Sequence, residues 1–364
     1  MSVSVYIDGQ PAERSQAYLE VLGNLGPVPD ESQKHFELWT SQPAGPVTSE
    51  SVWLAPSTVS ERLKWLRCEG AILQSLATSE RTEDWLFQGY SRIKVRSATP
   101  MPLESAVLAA FLAHDFPLVD AVMLTRAYRG AGWPYNLCDY PVPLGGPTSS
   151  IPFPTFPRLA GLYAVAPTSD WVRRLSRENV SVLQLRNKRK DDAQRAIEVR
   201  KAIEAVEGTG ALLFINDDWR LAAQHGAYGV HLGQEDIAQA DLGAIQQAGL
   251  RLGISTHGIY EMLCAHACKP SYMALGAIYA TATKAMPTGP QGIRRLKHYV
   301  RLMSPHYPLV AIGGIDLSRI AGVWGSGVDC VAVLRAIVNA ENYRRVVADL
   351  VATKPRTNSA TEAA

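Results

Sequence analysis

Short apolar segments recur along the second half of the chain, each followed by a longer stretch with helical spacing. The short segments are rich in aliphatic and β-branched residues, as buried strands are. They lie at 161–166, 181–186, 211–216, 228–233, 251–255, 272–276, 308–314 and 329–334. Between most of them apolar positions return every three or four residues, as in 193–206 and 293–303, which predicts amphipathic helices.

This alternation predicts an α/β fold with a parallel sheet, because each helix carries the chain back to the same edge. Eight such repeats within residues 158–352 fit a closed (β/α)8 TIM barrel at the small end of its size range. A doubly wound open sheet is the alternative. We expect a short or distorted helix only at the fourth connection, between 233 and 251.

A break in composition precedes the barrel. Residues 135–157 read YNLCDYPVPLGGPTSSIPFPTFP, rich in Pro, Gly and Ser and without a sustained period. Proline lacks a backbone donor and favours extended geometry in the residue before it, so we interpret 136–157 as a linker. It separates an N-terminal domain, 1–135, from the barrel, and the polar residues 353–364 are expected to form a frayed tail.

The composition excludes several classes of protein. Of the 364 residues, 47% are hydrophobic and 19% charged, which suits an ordinary folded protein with a large core. A net charge of +2 gives no global field for nucleic acid or a membrane surface, so anions must be bound by local groups. The N-terminus lacks a signal-peptide pattern, and the apolar run 106–113 is too short to span a bilayer. The five cysteines show no metal-binding spacing and are expected to be packed thiols, in a cytoplasmic protein.

Polar residues follow the second predicted strand, at the barrel face where active sites form. Side chains alternate along a strand, so Gln184, Arg186 and Lys188 share one face and are predicted to point into the barrel mouth. Two cations there favour a diphosphate, to which arginine offers a bidentate fork. The alternative is a salt bridge at the rim.

Acidic residues end the third and fourth strands. Asp217 and Asp236 are our candidates for sharing Mg²⁺, which takes one or two carboxylates together with substrate phosphate. Their neighbours Asp218 and Glu235 are expected to point elsewhere. Taken alone, the Asn-Asp pair at 216–217 would be interpreted as a helix N-cap.

Further strand ends carry groups suited to phosphate. Ser255 ends the fifth strand, where its hydroxyl either donates to phosphate or caps a helix. Thr281, Thr283 and Lys284 follow the sixth strand and suit a second phosphate group, in a loop long enough to act as a lid. Gly314 and Arg335 follow the last two strands, where barrels often bind phosphate, although a Gly-Gly pair is most often just a turn.

Together these segments resemble the thiamine-phosphate synthase family over nearly all of residues 159–350. The matching text is LQLRNK (183–188), LLFINDDWRLA (212–222), AYGVHLGQED (227–236), LGISTH (252–257), ATATKAMPTGPQG (280–292), VAIGGI (310–315) and GVDCVAVLRAI (327–337). The resemblance implies a transferase that joins a hydroxymethylpyrimidine diphosphate to a thiazole phosphate, giving thiamine phosphate and pyrophosphate by a dissociative, Mg²⁺-assisted reaction.

The resemblance also implies roles for individual residues. The pyrimidine diphosphate would be held by Gln184, Arg186, Lys188, Asn216, Ser255 and Lys284. Mg²⁺ would be bound by Asp217 and Asp236, and the thiazole phosphate by Thr281, Thr283, Gly314 and backbone near Leu334 and Arg335. Of these residues Arg186, Lys188 and Lys284 would act in catalysis by stabilising the departing pyrophosphate. No general base is required, and a structural role is expected for His231.

This chain departs from the family at Arg335, where a small Ser or Thr is usual. Arginine suits phosphate, so we expect it to grip the thiazole phosphate, whereas the alternative is that its bulk obstructs the site. A second departure is Ala166-Pro167 after the first strand, where an acidic residue is common.

The N-terminal domain resembles, more faintly, the end of a hydroxymethylpyrimidine-phosphate kinase of the ribokinase type, over residues 70–130. The family's glycine-rich anion loop would lie near 98–103, but the sequence there is ATPMPL, without glycine and rich in proline, which cannot donate N–H bonds. We therefore expect a degenerate, non-catalytic α/β remnant.

Three alternatives to the synthase stay open: a thiazole tautomerase-like enzyme, a non-catalytic thiamine-metabolite sensor on the same barrel, and a bifunctional kinase–synthase. The expected partners are the small-molecule substrates, with no nucleic acid and no membrane, and a homo-oligomer is left open.

Overall fold

The computed structural model describes residues 4–7, 10–26, 28, 35–39, 51–55, 71–77, 81–88, 91–98, 104–157, 161–188, 191–281 and 289–354. The chain divides into two compact units, Met1–Gly146 and Pro147–Ala364. Each is a mixed α/β structure.

The N-terminal unit is built on one sheet of eight described strands. They are β1 (Ser4–Ile7), β2 (Gln10–Pro11), β3 (His35–Trp39), β4 (Ser51–Ala55), β5 (Ala71–Ala77), β6 (Thr82–Gln88), β7 (Ser91–Ser97) and β8 (Val142–Pro143). Their order is β2-β1-β3-β4-β5-β6-β7-β8. The pairs from β1 through β3 and β4 to β5 are parallel, whereas β2 and β6 to β8 pair antiparallel.

Three α-helices are described in this unit: α1 (Gln16–Leu25), α2 (Ser105–Ala113) and α3 (Leu118–Ala127). The apolar run at 106–113 forms α2, which is apolar on every side and buried from Val107 to Ala113. A helix without a polar face has to lie in a protein core. The unit also buries an ion pair, in which the Arg126 guanidinium donates two hydrogen bonds to Asp84, at 2.5 and 2.6 Å.

The predicted α/β class of this unit is confirmed, but its kinase-type ancestry stays a prediction. The segment 99–103, which holds most of the altered anion loop, lies outside the described residues.

The C-terminal unit is a closed barrel of eight parallel strands. They are β9 (Gly161–Ala166), β10 (Val182–Leu185), β11 (Leu212–Asn216), β12 (Gly229–Leu232), β13 (Arg251–Thr256), β14 (Tyr272–Leu275), β15 (Leu309–Ile312) and β16 (Cys330–Val333). Neighbours pair in chain order, and β16 returns to β9 with Ala332 opposite Tyr163. All eight predicted strands are confirmed, and the open sheet is excluded.

The helices around the barrel are α4 (Ser169–Leu175), α5 (Asp192–Val206), α6 (Trp219–His225), α7 (Gln234–Ile237), α8 (Leu242–Gln247), α9 (Ile259–Ala267), α10 (Gly292–Met303), α11 (Ile320–Trp324), α12 (Arg335–Val338) and α13 (Tyr343–Ala352). The fourth connection holds two short helices, α7 and α8, as predicted. The prediction that it alone would be short is wrong, because α11 in the seventh connection has only five residues.

Large rings fill the barrel interior and force small residues on the strands beside them. Phe214 on β11 lies against Gly229 on β12, where an added Cβ would come within 2.5 Å of the ring. Tyr272 on β14 lies against Gly253 on β13, where an added Cβ would come within 2.2 Å. Interiors are packed without spare volume, so these two glycines are fixed by their neighbours.

The segment predicted as a linker, 136–157, is ordered by contacts within both units. Its first part forms a 3-10 turn (Leu137–Asp139) and strand β8, which pairs with β7. Its last part contributes Phe156, which is 3% exposed and belongs to the core cluster of the barrel. The Phe156 ring centroid lies 5.0 Å from that of Tyr272 and 5.7 Å from that of Phe214. The segment that precedes the first barrel strand thus contributes a side chain to the barrel core.

The described cysteines are free thiols, but Cys138 is exposed, so the expectation of packing is wrong for it. Helix α13 ends at Ala352, and the tail from residue 355 lies outside the described residues.

We predict that Phe156→Ala destabilises the barrel by about 3–5 kcal/mol, because it leaves a cavity among packed aromatic rings. Urea unfolding followed by hydrogen exchange of the barrel strands measures the change. Ile151→Ala on the same segment is the control, because Ile151 is 64% exposed. Equal effects of the two substitutions would contradict the role given to Phe156.

Candidate functional site

A cavity of about 200 Å³ opens at the carboxyl ends of the barrel strands. Ten residues of the predicted site line it: Gln184, Arg186, Asn216, Asp217, Asp236, Ser255, Thr281, Gly314, Leu334 and Arg335. They come from seven of the eight strand ends, so the barrel brings distant parts of the sequence to one place.

The remaining three predicted residues stand apart. Thr283 and Lys284 fall in 282–288, outside the described residues. Lys188 is exposed and is not among the residues lining the cavity. Strand β10 ends at Leu185, so the alternation that placed Lys188 beside Arg186 does not extend to it. The participation of these three residues stays a prediction.

The cationic side of the cavity follows β10. Gln184 is buried, and Arg186 is half-buried beyond it. The Arg186 backbone N–H donates to Ala166 O at 2.8 Å, which continues the pairing of β9 with β10 past the last strand residue. The guanidinium is thereby carried on an ordered backbone at the cavity wall.

An acidic pair, Asp217 and Asp236, lies in the same cavity. Asp217 has a φ of +63°, a left-handed conformation that aspartate adopts more readily than most residues, and its N–H donates to His231 O at 3.0 Å. Desolvation raises the pKa of Asp217 to about 7, with a further contribution from Asp236 beside it. Arg186 opposes this shift without cancelling it.

The two neighbouring acids are not part of the lining. Asp218 forms an ion pair with Arg195 of α5, with 3.3 Å between Oδ1 and Nε. Glu235 is exposed on α7. Of the two acidic dipeptides, only the first residue of one, Asp217, and the second residue of the other, Asp236, line the cavity.

Across the cavity, the turn after β15 exposes glycine backbone. Gly313 and Gly314 have φ values of +103° and +66°, and an added Cβ on Gly314 would come within 2.6 Å of Ala280 O. Only glycine fits such a position without strain. Leu334 and the exposed Arg335 lie beside this turn, at the start of α12. A phosphate here would meet glycine backbone and one guanidinium.

Beneath the mouth, five polar side chains form a continuous hydrogen-bonded chain. Gln184 Nε2 donates to the Tyr163 hydroxyl at 2.9 Å, and the two tyrosine hydroxyls, of Tyr163 and Tyr272, lie 2.8 Å apart. His231 Nδ1 lies 2.7 Å from the Tyr272 hydroxyl, and its Nε2 lies 2.7 Å from Ser255 Oγ. Burial, with a smaller effect of Arg186, lowers the pKa of His231 to about 3, so the ring is neutral.

A second histidine lines the cavity. His257 follows β13, and Glu261 Oε2 accepts hydrogen bonds from its backbone N–H at 2.9 Å and from its Nδ1 at 2.7 Å. The carboxylate fixes the ring and also occupies the N-terminal turn of α9. Ser255 and His257 are thus held by different partners.

The donor set fits a cation that shares its ligands with a substrate. Among the described residues, no three His, Cys, Asp or Glu side chains gather as a metal site. A cation would stabilise two neighbouring carboxylates, but these would supply only part of the set of oxygen ligands that Mg²⁺ takes. The rest would have to come from water and phosphate oxygens.

Comparison with known proteins assigns this barrel to a family. The family model for thiamine monophosphate synthase matches residues 162–337. The thiamine-phosphate synthase of Yersinia pestis (strain Pestoides F) is 51% identical over 199 residues, which are 55% of this chain and 92% of that protein. That of Salmonella typhimurium is 48% identical over 200 residues, covering 55% of this chain and 94% of that protein.

The chain belongs to the thiamine-phosphate synthase family.

Among solved structures, a thiamine phosphate pyrophosphorylase from Pyrococcus furiosus is 25% identical, with a TM-score of 0.47, and covers 53% of this chain and 95% of that one. The residues matched by the family model all lie in the C-terminal unit. The thiamine-phosphate synthase barrel is therefore one half of this chain. Among the described residues no helix has the length and apolar character needed to cross a membrane.

Sequence reasoning missed the inner polar residues of this synthase barrel. Tyr163 and Tyr272 were not singled out, and His231 was given a structural role, yet the three link Gln184 to Ser255. The available signal was the inward face shared by alternate strand positions. It could place these residues inside the barrel, but it could not show that their polar atoms meet.

We predict that Asp217→Asn stabilises the protein in the absence of divalent cations, and more at pH 8 than at pH 4. The folded protein binds this proton more tightly than the unfolded chain, because the pKa rises from 3.8 to about 7 on folding. The ionised form therefore opposes folding, increasingly so as the pH rises between those two values. Thermal unfolding midpoints at both pH values measure the effect, and the same midpoint gain at pH 4 as at pH 8 would contradict it.

Proposed function

We propose that the barrel joins 4-amino-2-methyl-5-hydroxymethylpyrimidine diphosphate to a thiazole phosphate, releasing thiamine phosphate and pyrophosphate. The observation that carries this proposal is the single cavity lined by Arg186, Asp217, Asp236 and Gly314, which suits two phosphorylated ligands at once. Membership in the thiamine-phosphate synthase family supplies the identity of those ligands.

The diphosphate is assigned to the side of the cavity formed by Gln184, Arg186, Asn216 and Ser255. Arginine and amide or hydroxyl donors suit its oxygens, and Lys188 and Lys284 are proposed to add charge from the rim. The thiazole phosphate is assigned to the opposite side, with the Gly314 turn, Thr281 and Thr283, and backbone at Leu334 and Arg335.

Asp217 and Asp236 are proposed to hold Mg²⁺ together with the diphosphate, because a cation beside them would offset the burial and the neighbouring charge that raise the pKa of Asp217. When bound, the ion would neutralise charge that develops on the departing pyrophosphate. The protein contributes the two carboxylates on ordered backbone, and Gly233 leaves space for one of them, since an added Cβ there would lie 3.0 Å from Asp236 Oδ2.

The proposed reaction is dissociative. The bond between the pyrimidine methylene carbon and the diphosphate oxygen breaks, the electron pair leaves with pyrophosphate, and the thiazole nitrogen then attacks the methylene cation. Arg186, Lys188 and Lys284 would stabilise the leaving group by position and charge. No proton has to be removed from either reactant, which agrees with the neutral, fully engaged His231.

The N-terminal unit is proposed to be a non-catalytic remnant related to the hydroxymethylpyrimidine-phosphate kinases. The proline-rich text at 98–103, without glycine, supports the loss of its anion loop. A bifunctional kinase–synthase would instead consume ATP with the pyrimidine monophosphate. A tautomerase-like enzyme or a metabolite sensor would release no pyrophosphate from the two substrates.

We predict that Asp217→Ala and Lys284→Ala each lower the rate of pyrophosphate release by a factor corresponding to about 2–4 kcal/mol. Lys284 would contact the leaving group directly, whereas Asp217 would hold the cation that neutralises it. Both variants should remain folded by circular dichroism. Glu235→Ala is the matched control, since this acid precedes Asp236 but is exposed and does not line the cavity. Near-normal turnover in either variant would remove that residue from the mechanism.

We predict that Arg335→Ser raises KM for the thiazole phosphate about tenfold and leaves KM for the pyrimidine diphosphate nearly unchanged, because one charge-assisted contact to phosphate is lost. Steady-state kinetics with each substrate varied in turn measures both constants. If Arg335 instead obstructs the site, the substitution will lower KM for the thiazole phosphate.

A further inference from the structure

The hydrogen-bonded chain from Gln184 to Ser255 connects two points of the cavity wall through the barrel interior. Both end residues line the cavity, as does His231, whereas Tyr163 and Tyr272 lie below it. Each of the four links measures between 2.7 and 2.9 Å. The five residues come from five strands: three lie on the alternate strands β10, β12 and β14, and two lie on β9 and β13. The hydrogen bonds therefore cross the barrel interior between strands.

Burial restricts the hydrogen-bond partners that the side chains of this hydrogen-bonded chain can have. Tyr163 and Tyr272 are 2% and 0% exposed, Gln184 is 3% and His231 is 4%. Bulk water cannot replace a missing partner at that depth, so each buried donor needs an acceptor among the hydrogen-bonded side chains. Phe214 and Phe156 pack against the tyrosine rings and hold the two hydroxyls in place.

The donor at the Gln184 end sets the direction of the chain. Gln184 Nε2 donates to the Tyr163 hydroxyl. Either tyrosine could donate the next hydrogen bond, and the order that leaves no donor without an acceptor has the Tyr163 O–H donate to the Tyr272 oxygen. In that order the Tyr272 O–H donates to His231 Nδ1. A neutral imidazole carries one N–H, which must therefore be on Nε2 and donate to Ser255 Oγ.

The opposite order does not satisfy the same groups. If Ser255 donated to His231 and His231 to Tyr272, then the Tyr163 oxygen would receive protons from both Gln184 and Tyr272. Its own O–H would then find no acceptor in the chain, at a site that is 2% exposed. The observed Gln184 contact thus favours one order of protons over the other.

We propose that Tyr163, Tyr272 and His231 are positioning residues that fix the Ser255 hydroxyl as a hydrogen-bond donor to an anionic phosphate oxygen in the cavity. Since Ser255 Oγ accepts the His231 proton, its own proton is directed to a ligand acceptor. This inference rests on the proposed function, because the diphosphate substrate is the acceptor that the reaction would supply.

The state of His231 tests the chain without any turnover. In the full-length protein labelled with ¹⁵N-histidine, we expect the His231 ring to have the proton on Nε2, as read from nitrogen chemical shifts. Tyr272→Phe removes the donor to Nδ1, and we expect the tautomer to shift or become mixed. A wild-type ring protonated on Nδ1 would overturn the proposed order. Because the experiment uses no substrate, its outcome is independent of whether the proposed reaction occurs.

A double-mutant cycle tests whether the chain acts through Ser255. We expect Ser255→Ala and Tyr272→Phe each to weaken binding of inorganic pyrophosphate, with magnesium present, by roughly tenfold, the scale of one lost hydrogen bond to a charged group. The double variant should be no weaker than Ser255→Ala alone, because residues that act through one contact are not additive. Multiplied losses would show that Tyr272 supports the fold and does not position Ser255.

Matched variants separate positioning from folding. Tyr228→Phe is the control, since Tyr228 packs on the Phe214 ring but takes no part in the chain. His231→Gln keeps a donor amide near Ser255 and should recover part of the binding that His231→Ala loses. If Tyr272→Phe does not fold, Tyr163→Phe interrupts the same chain one link earlier and should give a smaller, equally non-additive loss with Ser255→Ala. Equal losses in His231→Gln and His231→Ala would contradict the proposal.

Discussion

The parallel pairing of β16 with β9 is the contact on which the site depends, because it closes the sheet. Arg186 follows β10 and Arg335 follows β16. In an open sheet in chain order these two strand ends would be six strands apart, roughly 29 Å at about 4.8 Å per strand. In the closed barrel only β9 lies between β10 and β16. Closure therefore brings the two ends of the unit to nearby positions on the wall of one cavity. Because every pair of neighbouring strands is parallel, all carboxyl ends share one rim.

The floor of that cavity has to be filled, and the way it is filled also supplies its chemistry. Phe214, Tyr272 and Phe156 occupy the interior, and glycine at 229 and 253 makes room for the first two rings. Tyr272 and a fourth interior ring, that of Tyr163, carry hydroxyls, and burying a hydroxyl is costly unless it is hydrogen-bonded. The hydroxyls of Tyr163 and Tyr272 meet this requirement with each other, Gln184 and His231. The same tyrosine side chains thus both fill the barrel core and form its polar network.

The sequence predicted the barrel well because its signal is periodic and local: eight apolar strands, each followed by helical spacing, have few other ways to fold. It also gathered Arg186, Asp217, Asp236 and Gly314 at one face, since the carboxyl ends of barrel strands share a face by construction. It could not place Lys188, because side chains alternate between two faces only within a strand, and β10 ends at Leu185. Nor could it find the links from Tyr163 to Tyr272 and from Tyr272 to His231, which join residues 109 and 41 positions apart and depend on the depth of each side chain in the barrel.

Charge inside the cavity argues for cooperative binding of the proposed ligands. The chain as a whole is nearly neutral, at +2, so attraction of a diphosphate has to come from the site itself. A diphosphate alone would sit beside Arg186 but also near two carboxylates, and burial together with the charge of Asp236 already raises the pKa of Asp217. A cation alone would relieve the carboxylates but add positive charge next to Arg186. Only the two together leave each group beside an opposite charge, so each should increase the affinity of the other by the same factor. The acidic pair therefore contributes to selectivity, because it weakens binding of a free anion and favours the cation-bound diphosphate. The same pair lowers the stability of the barrel without a cation.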